Sequence, residues 1–339
     1  MRTPRIIAVL LSTLLAATTV ATAAATPSHH DHHHGHHHGN HHVHHHADPS
    51  LLATGLSGGA GSTIGPDGAL YVTEPVSGEV SRIDRRTGAA STFVSGLPPQ
   101  QPGTPGGALD VAFRGRTAYV LVSLADPQVS GLYRVGRDGV PRPVADLGAW
   151  SIAHPPKTDF FVPIGLQFAM EPYRRGFLVT DGHHNRVLYV TPDGSITQVR
   201  AFGNVVPTGL ETVGRTVLMA EAGPVPHLPS EGKVVAFTPW RHGVHQITSG
   251  GRLLVDVETG RGGLYALAQG HFTPGSPEGS PADPDTGQVM KAGRHGVLRA
   301  VATGLDRPTS FEIVGRTAYV VTLDGEVWTV PLSHGHHGR

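Results

Sequence analysis

Histidines are concentrated in one short stretch of this 339-residue chain, and they are the first candidates for chemistry. From His29 to His46 the sequence reads HHDHHHGHHHGNHHVHHH, in which thirteen residues are histidine. Imidazole has an ordinary pKa of about 6.5, so most of these rings are uncharged near neutral pH and offer a nitrogen ligand. Neutral imidazole suits zinc, copper and nickel. The predicted ligands of these transition metals are His29, His30, His32, His33, His34, His36, His37, His38, His41, His42, His44, His45 and His46.

The histidine stretch has no apolar periodicity, so we expect it to be disordered without a ligand. A solvated spacer, a pH-dependent surface adhesive and low-complexity drift are the alternative interpretations. A shorter copy, His334-Gly335-His336-His337, ends the chain. If the domain between them closes into a ring, the two ends meet, and we predict that the two stretches share an ion.

A second group of candidates consists of single polar residues inside apolar segments. Oxygen ligands of this kind suit calcium or magnesium if the segments converge on one axis, and they also suit a polyol. Hydrogen bonds to a neighbouring backbone or to water are the alternative role. The candidates are Asp110 in ALDVAF, Gln167 in GLQFAM, Glu211 in GLETV, Asp256 in LLVDVET and Glu312 in SFEIV.

Three acidic residues at the ends of other apolar segments complete the candidate ligand set: Glu74, Asp181 and Glu221. Asp181 opens the compact loop Asp181-Gly182-His183-His184-Asn185, which is either a metal or acid–base group or a solvated loop. His154 and His227 lie in loops stiffened by proline. Phe160-Phe161 and Trp150 either wall an apolar pocket or pack over a sheet edge.

The elements that would position these residues are repeated turns and short strands. Gly65 to Gly88 reads GPDGALYVTEPVSGEVSRIDRRTG, where Pro66-Asp67-Gly68 forms a turn before a strand rich in β-branched and aromatic residues. Segments like Tyr71-Val72-Thr73 recur at five further places, at a spacing typical of four-stranded blades. These begin at Tyr119, Phe177, Val217, Leu264 and Tyr319.

The repeats predict an all-β, six-bladed β-propeller. The sixth unit lacks a fourth strand, and Leu51 to Leu56 resembles the fourth strands of other units, so we expect this segment to close the ring. Connections are predicted to be tight on one face and long on the other. Because long loops on a rigid scaffold usually carry binding, we expect a small molecule or a protein to bind at the long-loop face.

Composition sets the broad class of the protein. The 45 glycines, 28 prolines and only 15% charged residues favour many short strands over helices. The formal net charge of zero gives no indication of nucleic-acid binding. Cysteine is absent, so stability must come from a large sheet core. No Gly-x-Ser-x-Gly, phosphate-binding glycine loop or His-Glu-x-x-His helix is present, so the sequence specifies no reaction.

The first residues predict export. Arg2 and Arg5 precede an apolar run from Ile6 to Leu15 and small residues ending in Ala25, which is the pattern of a secretory signal. The apolar run is shorter than the ~20 residues of a membrane span, so no span is expected in the mature chain. The predicted organisation is a signal peptide over 1–25, a disordered His-rich segment over 26–50, the propeller over 51–332 and a short His-containing tail over 333–339.

The phrases PDG-x-LYVT and V-x-R-I-D-x-x-TG resemble the ScyD/ScyE family of exported β-propellers, which is related in pattern to NHL-type and gluconolactonase-like propellers. The resemblance implies an exported six-bladed ring and no particular reaction. Gluconolactonase-like relatives hold a divalent metal with Glu, Asn and Asp. Glu211 and Asp256 could serve as two of these ligands, but no aligned innermost strand offers an Asn, so the full set is not found in this sequence. The sequence therefore predicts a monomeric binding or scaffold protein, with a metal-dependent hydrolase or lactonase as the alternative.

Overall fold

The computed structural model describes residues 48–124, 128–160, 162–277 and 279–332. Six four-stranded antiparallel sheets follow one another around a central channel, which confirms the predicted six-bladed β-propeller. The N-terminal strand is β1, Ser50–Ala53. Blades one to three comprise β2 Ser62–Ile64, β3 Leu70–Glu74, β4 Glu79–Ile83, β5 Ala90–Val94; β6 Gly107–Arg114, β7 Thr117–Ser123, β8 Gly131–Val135, β9 Pro141–Asp146; and β10 Gln167–Tyr173, β11 Gly176–Asp181, β12 Arg186–Val190, β13 Ile196–Ala201.

Blades four to six continue the same order along the chain. They comprise β14 Pro207–Val213, β15 Thr216–Glu221, β16 Gly232–Phe237, β17 Val244–Gly251; β18 Leu254–Gly260, β19 Gly263–Ala268, β20 Gly287–Ala292, β21 Leu298–Leu305; and β22 Pro308–Val314, β23 Thr317–Thr322, β24 Val327–Pro331. The innermost strands β2, β6, β10, β14, β18 and β22 contact their neighbours around the channel.

The ring is closed by β1, as predicted. β1 pairs antiparallel with β24, so Ser50 lies opposite Thr329 and Ala53 opposite Val327. Beyond β1, Leu56 donates its N–H to the Gly325 carbonyl at 3.3 Å. The outer strand of the sixth blade therefore comes from the start of the described chain and its other three strands from the end, which leaves no incomplete blade edge.

The two faces of the ring differ in the length of their connections. In five blades, innermost and second strands are joined by two-residue hairpins, and in four of these the first residue has a positive φ that glycine adopts without strain. Gly115, Gly214 and Gly315 occupy this position, and Arg174 occupies it with φ 52° in the third blade. Long connections such as 95–106, 147–166, 222–231 and 269–286 lie on the opposite face. We call these the tight-turn face and the long-loop face.

Apolar side chains between adjacent blades form the core. Tyr71 of the first blade contacts Phe93 and Phe113 edge-to-face at 4.8 Å each, and Tyr119 of the second blade lies 4.8 Å from Phe177 of the third. Aromatic contacts therefore join the first blade to the second and the second to the third.

The structure differs from the sequence prediction at two innermost strands and one helix. The third innermost strand is Gln167–Tyr173 rather than Gly165 to Ala169, and the fifth extends to Gly260 rather than Val257, because both strands continue to the hairpin. A short helix, α1 Leu147–Ala153, was not predicted; the Asp146 side chain caps it by accepting from Ala149 N at 2.7 Å. Among the described residues no helix is long and apolar enough to cross a membrane.

Candidate functional site

A cavity of about 1140 Å³ occupies the central channel and opens among the long loops. Apolar side chains form much of its wall, and polar side chains of the loops stand among them. Its acidic lining residues are Asp110, Asp159, Glu171, Asp256, Glu258 and Glu312. Two histidines, His183 and His227, also line it, whereas no lysine or arginine is among the described lining residues. The cavity is therefore apolar and acidic.

Asp110 and Asp256 occupy matching places in the second and fifth blades. Asp110 accepts from Val111 N at 2.8 Å and from Met170 N in the next blade at 2.6 Å. Asp256 accepts from Val257 N at 2.8 Å and from Phe311 N in the next blade at 3.0 Å. Both carboxyls line the cavity and also join two blades, so they make the backbone hydrogen bonds that were the alternative to ligand binding.

A glycine faces each of these carboxyls from the preceding blade. A Cβ on Gly61 would lie 2.5 Å from Leu109 O and 2.6 Å from Asp110 Cα, and a Cβ on Gly209 would lie 2.5 Å from Asp256 Cα and 2.9 Å from Val255 O. The arrangement of blades one to three is thus repeated in blades four to six. Only glycine allows the innermost strands to approach this closely.

Nearer the tight-turn face, four blades place a glutamate at one equivalent position, two residues before the end of the innermost strand. Each glutamate pairs across its hairpin with a residue of the second strand. The four are Glu171, Glu211, Glu258 and Glu312, which we call the glutamate ring. The prediction included Glu211 and Glu312 but missed Glu171 and Glu258, because the third and fifth innermost strands were predicted to end at Ala169 and Val257, before these residues.

Two members of the glutamate ring bond to the next blade and two do not. Glu171 accepts from the Thr212 hydroxyl at 2.8 Å, and Glu211 accepts from the Thr259 hydroxyl at 2.5 Å. At the corresponding positions after Glu258 and Glu312 the next blades carry Ile313 and Ile64, which have no hydroxyl. Glu258 and Glu312 have no hydrogen-bond partner among the described residues, so both line the cavity with their bonding capacity unused.

Burial in the cavity favours the neutral form of its acids. Burial raises the pKa of Glu171 to about 7, and it raises the pKa values of Glu258 and Glu312 well above the ordinary value. Burial is also the main cause of the raised pKa of Asp110 and Asp256, to which repulsion from neighbouring carboxylates adds. Negative charge in the cavity therefore develops as the pH rises through neutrality.

The other predicted candidates lie outside the cavity lining. Gln167 is fully buried between two blades, where its side chain accepts from the Ser123 hydroxyl at 2.7 Å and donates to Ile164 O at 3.0 Å. Glu74 is buried and accepts from Ser57 N at 2.6 Å. Glu221 is also buried, which raises its pKa to about 7. In the described structure Gln167 and Glu74 hold the scaffold together.

Asp181 belongs to a buried network rather than to the cavity lining. Its carboxylate accepts from Arg186 Nε at 2.8 Å, and both side chains are almost fully buried. Arg186 also donates to His154 O at 2.6 Å and to the Ser151 hydroxyl at 3.1 Å. The network therefore fastens α1 and the loop after it to the third blade. Asp181 was predicted as a site residue from the sequence, whereas Arg186 was not.

His184 extends this network towards the cavity. Arg186 donates to His184 Nδ1 at 2.7 Å, and because arginine only donates, Nδ1 accepts and Nε2–H donates to Val162 O at 2.9 Å. Phe160, which lines the cavity, packs edge-to-face against the His184 ring at 5.1 Å. The buried network thus fixes one wall of the mouth.

Of the two histidines at the mouth, His183 is neutral near pH 7 and His227 is hydrogen-bonded to a backbone carbonyl. Burial lowers the pKa of His183, which keeps its ring neutral near pH 7. His227 Nδ1 lies 2.8 Å from Gly223 O, so this nitrogen carries the proton and donates to the carbonyl. His154 lies elsewhere: it ends α1 and stacks on Trp150 at 4.3 Å.

A divalent metal centre of the gluconolactonase-like kind does not fit the described residues. No three His, Asp or Glu side chains of residues 48–332, as far as these are described, are grouped so that they could hold a metal ion. The carboxyls of Asp110 and Asp256 already accept two backbone N–H groups each. The calcium predicted for the channel therefore has no assembled ligand set there. The histidine stretch 29–46 and His334 to His337 lie outside the described residues.

Solved structures share the fold of this chain at low sequence identity. A gluconolactonase from Xanthomonas campestris has a TM-score of 0.59 and 13% identity, with 85% of this chain and 90% of that chain covered. A PQQ-bound aldose sugar dehydrogenase from Streptomyces coelicolor has a TM-score of 0.55 and 14% identity, with 84% and 98% covered. A virginiamycin B lyase from Staphylococcus aureus has a TM-score of 0.51 and 11% identity, with 84% and 99% covered.

These similarities define the class of protein, a six-bladed propeller similar to gluconolactonase-like and virginiamycin B lyase propellers. The chain matches no protein-family model and no curated protein sequence. The three solved structures are named for three different reactions, so the shared fold alone assigns none of them to this chain.

Proposed function

We propose that the propeller is a binding protein whose cavity takes a small organic cation with an apolar body. The observation that supports this most is the cavity lining, in which acids and apolar side chains occur without a described lysine or arginine. A cleft lined by charge of one sign concentrates ions of the opposite sign. A volume of about 1140 Å³ is ample for a drug-sized molecule.

The two glutamates without hydrogen-bond partners are the groups that we expect to receive the cation. Glu258 and Glu312 lie on adjacent blades, and repulsion between them contributes to the raised pKa of Glu258. An ammonium or guanidinium group placed between them would donate to both carboxylates and remove this repulsion. Because the acids are poorly ionised in the empty cavity, binding should release protons.

The apolar wall favours an organic cation over a metal ion or a polyol. Leu109, Phe168 and Val255 lie among the lining residues, and they offer a hydrated ion no ligand. An aromatic or aliphatic body would instead bury apolar surface against them.

The first prediction is that arylammonium ions bind more tightly as the pH rises. Phenethylammonium should bind at least tenfold more tightly at pH 8 than at pH 5.5, because the raised pKa values leave the acids protonated at the lower pH. Titration calorimetry in two buffers with different protonation enthalpies would also detect the proton release. Phenethyl alcohol, which lacks the charge, should bind weakly at both pH values.

Glutamine variants locate the site. Glu258→Gln with Glu312→Gln should abolish the pH dependence, whereas Glu79→Gln, a matched change outside the cavity lining, should retain it. The double variant should fold. The folded-state pKa values of Glu258 and Glu312 are raised, so these carboxyls cost stability as the pH rises through those values. Glutamine should therefore raise the free energy of unfolding more at pH 8 than at pH 5. Equal binding of amine and alcohol by the folded wild type would contradict the proposal.

A second function, metal binding by the histidine stretch, is favoured by thirteen imidazoles within eighteen residues. We predict that the full chain binds zinc, copper or nickel and that deleting His29 to His46 removes most of this binding. Zinc titration of both forms, with thermal unfolding in chelator as the check on folding, measures this. If the shortened protein kept the full zinc stoichiometry, the ligands would lie elsewhere.

We also propose that the protein is exported and monomeric. The signal-like first residues and the resemblance to exported ScyD/ScyE propellers support an exported monomer. A metal-dependent hydrolase or lactonase has only the fold similarity in its support, because the described channel residues do not form a metal centre.

A further inference from the structure

Arginines surround the channel on the tight-turn face, opposite the cavity mouth. They lie in the hairpins that join innermost and second strands, and five of the six blades contribute at least one. All are exposed. The residues are Arg116, Arg174, Arg175, Arg215, Arg261 and Arg316.

The hairpins themselves do not require arginine. In four of the five hairpins the first position has a positive φ, which Gly115, Gly214 and Gly315 supply in three of them, whereas the second position accepts ordinary residues. In the fifth blade Gly262, at the second position, has the positive φ. In the third blade an arginine even takes the first position, where Arg174 has φ 52°. Arginine at these positions is therefore not explained by the turn.

Four of these six side chains are not used by the ion pairs of the described residues. Arginine–carboxylate pairs form at Arg82, Arg142, Arg186 and Arg307. Arg116, Arg175, Arg215 and Arg261 have no carboxylate partner among the described residues. These cations are thus available to an external anion.

The same face exposes large apolar side chains. Val213 is 49% exposed, Trp240 is 44% exposed and Val140 is 47% exposed. Trp240 is held in place by Tyr189, edge-to-face at 5.2 Å, and by the Arg174 guanidinium, 5.1 Å from its ring centre. The face therefore combines fixed cations with a positioned tryptophan.

Charge is separated between the two faces although the formal net charge of the chain is zero. On the tight-turn face, Asp67 and Asp138 are paired with Arg82 and Arg142. Asp84 and Asp193 bond within their own turns, Asp84 by accepting from Arg86 N and Thr87 N at 2.9 Å and Asp193 by accepting from the Thr191 hydroxyl. Acids of the long-loop face include Asp146, Asp159, Glu231, Asp283, Asp285 and Asp324. The tight-turn face is therefore basic although the net charge of the chain is zero.

We propose that the tight-turn face docks on a lipid bilayer that contains anionic phospholipid. The hairpins have the same two-residue loop in five blades, which suits a flat partner. Arginines would bind lipid phosphates, and Trp240 and Val213 would enter the headgroup region, where tryptophan is favoured. An extended anionic polymer would use the arginines but would not explain the exposed apolar side chains between them.

Vesicle binding tests the proposal. The probe is phosphatidylcholine vesicles with about 30 mol % phosphatidylglycerol in about 0.1 M salt, where surface charge still acts over roughly 10 Å. Each lost arginine should weaken binding about fivefold, which corresponds to about 1 kcal/mol, so Arg175→Gln with Arg215→Gln should cost about 25-fold. Pure phosphatidylcholine vesicles should bind weakly.

A charge-matched control lies on the opposite face. Lys157→Gln with Arg252→Gln removes the same charge from the long-loop side and should change vesicle affinity by less than twofold. Trp240 should shift its emission to the blue on anionic vesicles, and Trp240→Phe should remove the shift. All substitutions except that of Arg252 are at exposed positions, and near-ultraviolet dichroism verifies folding.

Three results would overturn the proposal. The first is equal loss of vesicle binding in the two double variants. The second is binding to soluble heparin as tight as to vesicles with no change in tryptophan emission, which would indicate a site for a polymer. The third is salt-sensitive self-association without vesicles that Arg175→Gln with Arg215→Gln removes, which would assign the face to a second copy of this chain.

Discussion

Replacing Arg186 with methionine should lower the free energy of unfolding by about 3–5 kcal/mol. The guanidinium is almost fully buried against Asp181, and its loss would leave the Asp181 carboxylate without its cation in a site that water does not reach. It would also remove the donors to His154 O and to the Ser151 hydroxyl. Urea unfolding at pH 7 measures the change.

The matched control is an exposed ion pair. Arg142 bonds to Asp138 at 2.6 Å with both side chains more than half exposed, so Arg142→Met should change stability by less than about 1 kcal/mol. Asp181→Asn added to Arg186→Met should recover part of the loss, because it removes the unpaired charge. An Arg186→Met protein as stable as Arg142→Met would show that the buried network contributes little.

Adding one methyl group at Gly61 or Gly209 should destabilise the ring by about 3 kcal/mol, and both together by more. The new Cβ would meet backbone atoms of the adjacent innermost strand at 2.5 to 2.9 Å, and a backbone moves only if the blades separate. Separation would also stretch the bonds from Asp110 to Met170 N and from Asp256 to Phe311 N. Thermal and urea unfolding of the alanine variants measures the effect.

Gly203→Ala provides the comparison. A Cβ at Gly203 meets nothing within 4 Å, and its backbone needs no positive φ, so alanine should be neutral or slightly stabilising there. If Gly61→Ala behaved like Gly203→Ala, the close packing of innermost strands would not limit stability. Because Gly61 and Gly209 occupy equivalent positions, their separate effects should be similar.

The architecture was readable from the sequence because each blade repeats the same local pattern. Tyr71, Tyr119 and Tyr319 recur in second strands, and the predicted closing segment beginning at Leu51 lies beside β24. Because the pattern repeats, an error in one predicted strand boundary does not change the predicted number of blades. Helix α1 is only seven residues long, and its sequence signal is a capping Asp146 before them. This signal was too weak to predict the helix.

The glutamate ring was only half predicted, for a reason of register. The third hairpin, Tyr173-Arg174-Arg175-Gly176, has arginine where other blades have glycine, so its turn was not recognised and Gln167 was chosen instead of Glu171. Counting back three residues from the first residue of each two-residue turn would have aligned Glu171, Glu211, Glu258 and Glu312. The partners of Asp181 could not be read in this way, because burial depends on which loops cover it.

The closure of the ring also determines how the molecule would respond to tension. Ser50 and Thr329 pair near the two ends of the described chain, followed by Leu51 with Trp328 and Ala53 with Val327. A load applied to both ends would unzip these pairs one after another instead of shearing them together. The sixth blade would yield at small force, while the other five sheets, each made from continuous chain, would stay intact until it had opened.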